Sequence, residues 1–251
     1  MHFSSTHRHD DGHTERTFTL GGIPGILWTP PTATPASPAP LILMGQPGGI
    51  GMARMHPRLA ARARSAAAQG FASATLELPG AGDRTPLPGA AEARAELGRA
   101  IAAGAKPSED TVDRLILPLL ERAVPEWQAA LDELLGLPEL AERVGFSGGI
   151  IAIGVRLAAI EPRIAAAGLF AGSYVPRATM ADARQVTIPL HMLLQWDDEG
   201  NDRAMALDLF DAFGSAEKTL YANLGGHTGV PAFAGEDAAR FFARHLHPHL
   251  D

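Results

Sequence analysis

Gly145-Phe146-Ser147-Gly148-Gly149 is the segment whose residue types and spacing most directly imply chemistry. Glycine, any residue, serine, any residue, glycine puts a serine on a sharp strand-to-helix turn, where small neighbours avoid a clash and let the backbone approach a substrate. A serine hydroxyl is a weak nucleophile. It needs a base in hydrogen-bond reach and a third group to orient that base. On such a turn the chain order is serine, then acid, then histidine. Both later pieces are present. His227 sits in Gly225-Gly226-His227-Thr228-Gly229, a glycine-rich loop with little packing reason to hold a histidine. The acid falls within Trp196-Asp197-Asp198-Glu199, just beyond a predicted strand. Strand ends carry functional groups in open α/β sheets. Asp198 is taken first, then Asp197, then Glu199. The remaining two read as solvated loop residues or as caps for a helix beginning near Asp202. Ser147 precedes Asp198 by 51 residues and Asp198 precedes His227 by 29, room each time for a helix and a strand.

Acyl transfer also needs donors for a developing oxyanion. The backbone N–H after the serine, at Gly148, is one expected donor. The other belongs to an earlier loop, Gly45-Gln46-Pro47-Gly48-Gly49-Ile50-Gly51. Pro47 has no N–H, so Gly48 is the first choice and Gly49 the second. A phosphate cradle is the rival reading of this loop. It fails because there is no Gly-Lys followed by Ser or Thr, and no spaced glycines with a downstream acid.

The elements that must hold these residues alternate. Thr17 to Thr29 suits two strands around Gly21-Gly22, and Pro30 to Pro40 is a Pro-rich exposed loop. Strands are predicted at Leu41–Met44, Phe71–Leu78, Arg143–Phe146, Ile164–Phe170, Leu190–Gln195 and Lys218–Ala222. Helices are predicted at Met55–Gln69, Val112–Leu135, Gly149–Ile160, Asp202–Phe213 and Glu236–Leu246, with Pro118 and Pro125 kinking or splitting the second. Strands alternating with helices imply βαβ units and a mostly parallel sheet. Residues 1–16 read as a polar tail. Its His7 and His9, like His245, His247 and His249 at the other end, lack the supporting ligands of a metal site. Residues 17–251 read as one domain, with 85–117 as a helical insertion or cap.

Taken together, these features resemble the α/β-hydrolase superfamily, in its dienelactone-hydrolase-like and small serine-esterase branch. Leu78-Pro79-Gly80-Ala81-Gly82-Asp83 resembles the family's glycine-rich turn after its fourth strand, Leu193 to Glu199 its acid turn, and Gly225-Gly226-His227 its histidine loop. The chain departs from the family in three places. It has no cysteine, the nucleophile of dienelactone hydrolases proper; Gln46-Pro47 stands where His-Gly is common; and Trp196 lies where many members carry glycine. The resemblance implies an eight-stranded, mostly parallel sheet flanked by helices and no metal or organic cofactor. It also implies that the segment from Thr85 to Leu117 partly caps the site. Leu87, Leu97 and Ile101 either line a pocket there or pack on the body.

Composition bounds the rest. The 251 residues are 46% hydrophobic and 20% charged, enough for a sizeable core. A net charge of −7 argues against a nucleic-acid partner. Without cysteine there are no disulfides and no thiolate chemistry. No signal-peptide core and no membrane-length apolar run is found, so a soluble cytoplasmic monomer or homodimer is expected. The expected function is hydrolysis of a carboxylic ester or thioester by Ser147, His227 and Asp198. Alternatives are acyl transfer or thioester cyclisation on the same residues, and a non-hydrolytic binding or lyase-type role on the same fold.

Overall fold

Leu41 to Met44, the apolar run predicted to be covered on both faces, lies at the centre of the sheet. The computed structural model describes residues 1–247, so His249 lies outside the described residues. The run falls in β4 (Ala39–Gly45), where every residue is buried. Parallel to it lie β5 (Ala72–Leu76) on one side and β6 (Leu140–Gly148) on the other. Beyond β6, the strands β7 (Ile164–Phe170), β8 (Leu190–Gln195) and β9 (Lys218–Asn223) continue in parallel. On the opposite side β1 (His2–Arg8), β2 (Thr14–Leu20) and β3 (Ile23–Thr29) are antiparallel, with β3 joined to β5. The order is β1-β2-β3-β5-β4-β6-β7-β8-β9. The sheet is mostly parallel, as expected, but has nine strands rather than eight.

The extra strand corrects the reading of residues 1–16 as a tail. As an edge strand β1 exposes nearly all its side chains, so it shows no apolar alternation. Its one apolar anchor is Phe3, whose ring meets Phe18 edge-on at 6.1 Å and lies under the Arg16 guanidinium at 4.7 Å.

Side chains of β4 alternate between two cores. Ile42 and Met44 pack with α1 (Met52–Ala67) and α7 (Ala232–Leu246). Leu41 and Leu43 face the larger core, built with α3 (Glu109–Leu134), α4 (Ile151–Ile160), a short α5 (Arg177–Ala183) and α6 (Arg203–Ala212). The insertion supplies α2 (Ala90–Ala102), which packs on α3. The helix α3 is continuous through Pro118 and Pro125, so it is not split. Each proline costs about 3 kcal/mol in a helix interior. The buried stripe that includes Ile116, Leu120, Trp127, Leu131 and Leu134 outweighs that, at about 1.5–3 kcal/mol for each large apolar side chain. Ser108 caps its start by accepting the Thr111 N–H at 3.1 Å. Among the described residues no helix is long and apolar enough to cross a membrane, and no group of three or more His, Cys, Asp or Glu is placed to hold a metal.

Candidate active site

The carboxyl ends of the central strands meet the loops that carry the predicted site residues. After β4, Gln46 is buried and turns inward, donating to Thr75 Oγ1 at 3.0 Å and to the Leu76 carbonyl at 2.6 Å. The loop is held at its far end by Glu77. Its carboxylate accepts the Met52 N–H at 2.9 and 3.0 Å, filling the place of a cap that Gly51 lacks. Burial pushes the Glu77 carboxyl above its ordinary pKa. Pro47, Gly48 and Gly49 are thereby fixed at the wall of a cleft of about 730 Å³.

The acid and the histidine come together in this region. His227 Nδ1 lies 2.7 Å from Asp198 Oδ2, and Asp198 Oδ1 accepts the Gly200 N–H at 3.0 Å. The Asp198 side chain is 1% exposed and that of His227 57%, so the carboxylate is sheltered while the imidazole stays accessible. Gln195 donates to the Gly226 carbonyl at 3.2 Å and ties the histidine loop to β8. Phe170 stands edge-on to the imidazole at 5.3 Å. Asp197 and Glu199 are exposed, and Asp202 caps α6 by accepting the Ala204 N–H at 3.0 Å. Of the three candidate acids, Asp198 is the one bonded to His227.

Ser147 is not brought to this pair. β6 continues through it, with Ser147 opposite Met44 on one side and Gly168 on the other. The left-handed residues that turn the chain are Gly148 (φ 69°) and Gly149 (φ 73°), one and two positions further on. The serine is still in the ladder, so its side chain takes the same face as Met44, towards α1 and α7. There Arg62 of α1 donates to the Ser147 carbonyl at 2.9 Å, to Ser147 Oγ at 3.2 Å and to the Gly45 carbonyl at 3.2 Å. Burial without a carboxylate partner lowers the Arg62 pKa to about 10. Ser147 lines a separate cleft with Arg62 and Phe242, whereas Gly149 and Ile150 line the one that holds His227. Of the expected oxyanion donors, Gly48 borders the histidine cleft, with Gly49 beside it. Gly148 does not; Gly149 and Ile150 stand in its place.

The remaining wall of the histidine cleft is largely apolar. Leu87, Leu97, Leu115 and Ile116 of the insertion and α3 line it, while Ile101 lines a different pocket beside Tyr174. Arg58 and Arg94 also border it, and neither has an ion-pair or hydrogen-bond partner among the described residues. Neither arginine is distinguishable in the sequence, because both sit among other charged positions of Ala- and Arg-rich helices. Arg62 was missed for the same reason.

No family model matches the chain, and no curated protein sequence matches it. Solved structures do. A cold-adapted esterase from an Arctic intertidal metagenomic library, in its PEG-bound form, superposes with a TM-score of 0.75 at 24% identity, covering 98% of this chain and all of the other. TT1662 from Thermus thermophilus gives 0.65 at 18% identity, covering 99% and 100%. A dienelactone hydrolase from Anabaena variabilis gives 0.60 at 17% identity, covering 95% and 100%. The chain has the α/β-hydrolase fold.

Proposed function

We propose that this chain hydrolyses a carboxylic ester or thioester with a largely apolar body and a negatively charged end. The observation that carries the reading is the Asp198–His227 pair at the wall of an apolar cleft. Esterases of the same fold support it. The Asp198 carboxylate can only accept, so it holds the proton on His227 Nδ1 and leaves Nε2 free as a base. In the arrangement described, the nucleophile that needs no rebuilding of the site is water. His227 takes a proton from that water as it attacks the carbonyl, and Asp198 stabilises the imidazolium. The N–H of Gly48 and those at the start of α4, beside Gly149 and Ile150, donate to the oxyanion. The imidazolium then returns its proton to the departing alkoxide or thiolate. Arg94, whose guanidinium lies against Gly49, and Arg58 would hold a carboxylate of the substrate.

A second reading keeps Ser147 as the covalent nucleophile, with Asp198 and His227 completing a triad. The two left-handed glycines directly after it favour this reading, because a shift of that turn would carry the serine out of the ladder. It requires the hydroxyl to leave Arg62. Acyl transfer to an alcohol or amine belongs with this reading, since it needs an acyl-enzyme.

The test is a panel of p-nitrophenyl esters and thioesters with wild type, His227→Ala and Asp198→Asn, alongside fluorophosphonate labelling read by intact mass. Turnover lost in both variants, without an adduct on wild type, supports water attack. An adduct on Ser147 supports the covalent route. No turnover of any ester by folded wild type overturns hydrolysis and favours a binding role.

A further inference from the structure

The cleft behind β6, on the opposite side of the sheet from the helices that carry the insertion, has chemistry of its own. It encloses about 150 Å³ between α1, α7 and the strands. At roughly 30 Å³ per water, that is the space of about five waters. Three features set it apart from an ordinary packing defect. Among the described residues Arg62 enters it with no carboxylate partner; its three bonds go to two carbonyls and one hydroxyl. Ser147 Oγ accepts from Arg62, so its own proton is left to give. At the other end Ser73, with 0% of its surface exposed, has a hydroxyl with no hydrogen-bond partner among the described residues. Among the described residues no acidic side chain lines the cleft, and the surface between its polar ends is apolar: Ile42, Met44, Phe71 and Phe242.

A positive charge bonded only to neutral acceptors, beside two hydroxyls with protons to give, calls for an anion. The spacing decides what kind. Ser73 lies opposite Ile42, Ile42 lies opposite Gly145, and Ser147 is two residues further along β6. Two strand spacings of ~4.8 Å and two residues of ~3.3 Å put the Cα atoms of Ser73 and Ser147 roughly 12 Å apart. A single-atom anion such as chloride cannot reach both ends. A short organic acid with a carboxylate at one end and a keto or hydroxyl oxygen at the other can.

We propose that this cleft is a binding site for a small monocarboxylate of about four or five carbons bearing a terminal-side oxo or hydroxy group. Its carboxylate sits on Arg62 and the Ser147 hydroxyl, its methylenes lie against Met44 and Phe242, and its second oxygen accepts from Ser73. Gln69 and Gly235, which line the cleft, are exposed. The site is separate from the His227 cleft, so binding and ester turnover are independently measurable.

The probe is 4-oxopentanoate, with pentanoate and chloride at matched ionic strength as controls. Thermal denaturation and saturation-transfer NMR are recorded on the whole chain for wild type, Arg62→Gln and Ser73→Ala. For wild type, 4-oxopentanoate is expected to raise Tm saturably and more than either control. Arg62→Gln removes the response. Ser73→Ala weakens 4-oxopentanoate binding about 3- to 10-fold, the value of one hydrogen bond, and leaves pentanoate unchanged. Ester turnover by Ser73→Ala stays at the wild-type level. An equal response of wild type to all three salts, or a 4-oxopentanoate response untouched by Ser73→Ala, overturns the proposal. Ser73→Ala removes only a hydroxyl, so it remains informative if Arg62→Gln fails to fold.

Discussion

Replacing Ser147 by alanine separates the two proposed routes to ester hydrolysis more sharply than any other single change. In the arrangement described, the hydroxyl accepts one bond from Arg62 at 3.2 Å, while Arg62 keeps the Ser147 carbonyl at 2.9 Å and the Gly45 carbonyl at 3.2 Å. A charge-assisted bond contributes about 1.5–3 kcal/mol when lost outright. Arg62 is half-buried and keeps two acceptors, so the cost falls to about 1 kcal/mol. For a chain of this size that lowers Tm by about 2–4 °C. Turnover, with water as nucleophile, changes by less than about 3-fold, because the hydroxyl is outside the His227 cleft. For a serine acting covalently the loss is instead about 10⁶-fold in kcat. The assay is initial-rate hydrolysis of the best p-nitrophenyl ester from the panel, with circular dichroism melts of both proteins. A fall of a thousandfold or more in the folded variant would refute the water route and place Ser147 in the catalytic machinery.

Other consequences follow from single contacts. Asp198→Asn swaps a carboxylate that can only accept for an amide that can donate to His227. It should cut kcat by about 10²–10⁴ with a much smaller change in KM, read from steady-state kinetics. Glu161 is buried and bonded to Arg163 at 2.6 and 2.8 Å, which holds its pKa down to about 2 from an unfolded value near 4.5. A depressed carboxyl stabilises the fold above the unfolded value and loses that contribution as pH falls from about 4.5 towards 2. The shift corresponds to at most about 3 kcal/mol, so Glu161→Gln should lower urea-measured stability at pH 7 by about 2–3 kcal/mol and flatten its decline below pH 4.5; an unchanged slope there would remove Glu161 from the account. Gly149→Ala would place a Cβ 2.5 Å from the Gly45 Cα and 2.7 Å from the Gln46 nitrogen, at a φ of 73°. Backbone on both sides leaves no room to give, so a loss of about 2–4 kcal/mol is expected by urea denaturation. Gly226→Ala meets nothing within 4 Å and serves as the control.

Local signals made the architecture legible. Apolar runs such as Leu41 to Met44, glycine stops and Pro-rich loops are properties of neighbouring residues, and each marked an element at nearly the right place. The strand-end acid and the loop histidine were also readable, since their surroundings (a strand followed by turn residues, a glycine-rich loop) are local too. β1 was not, because an exposed edge strand leaves no apolar alternation to read. The unbroken α3 was not either, because its prolines are overruled by burial against elements far away in the chain.

What the sequence by itself determined is the α/β succession, the mostly parallel sheet, and the presence in order of a serine, an acid and a histidine. What only the tertiary structure decided is which of these groups meet. A strand reverses the facing of its side chains at every residue, so ending β6 one position beyond Ser147 rather than before it sends the hydroxyl to Arg62. Asp198 was set apart from Asp197 and Glu199 in the same way: the β8 turn buries one carboxylate against His227 and leaves its two neighbours in solvent. A one-residue register, fixed by hydrogen bonds to strands distant in sequence, is invisible in the composition of any local window.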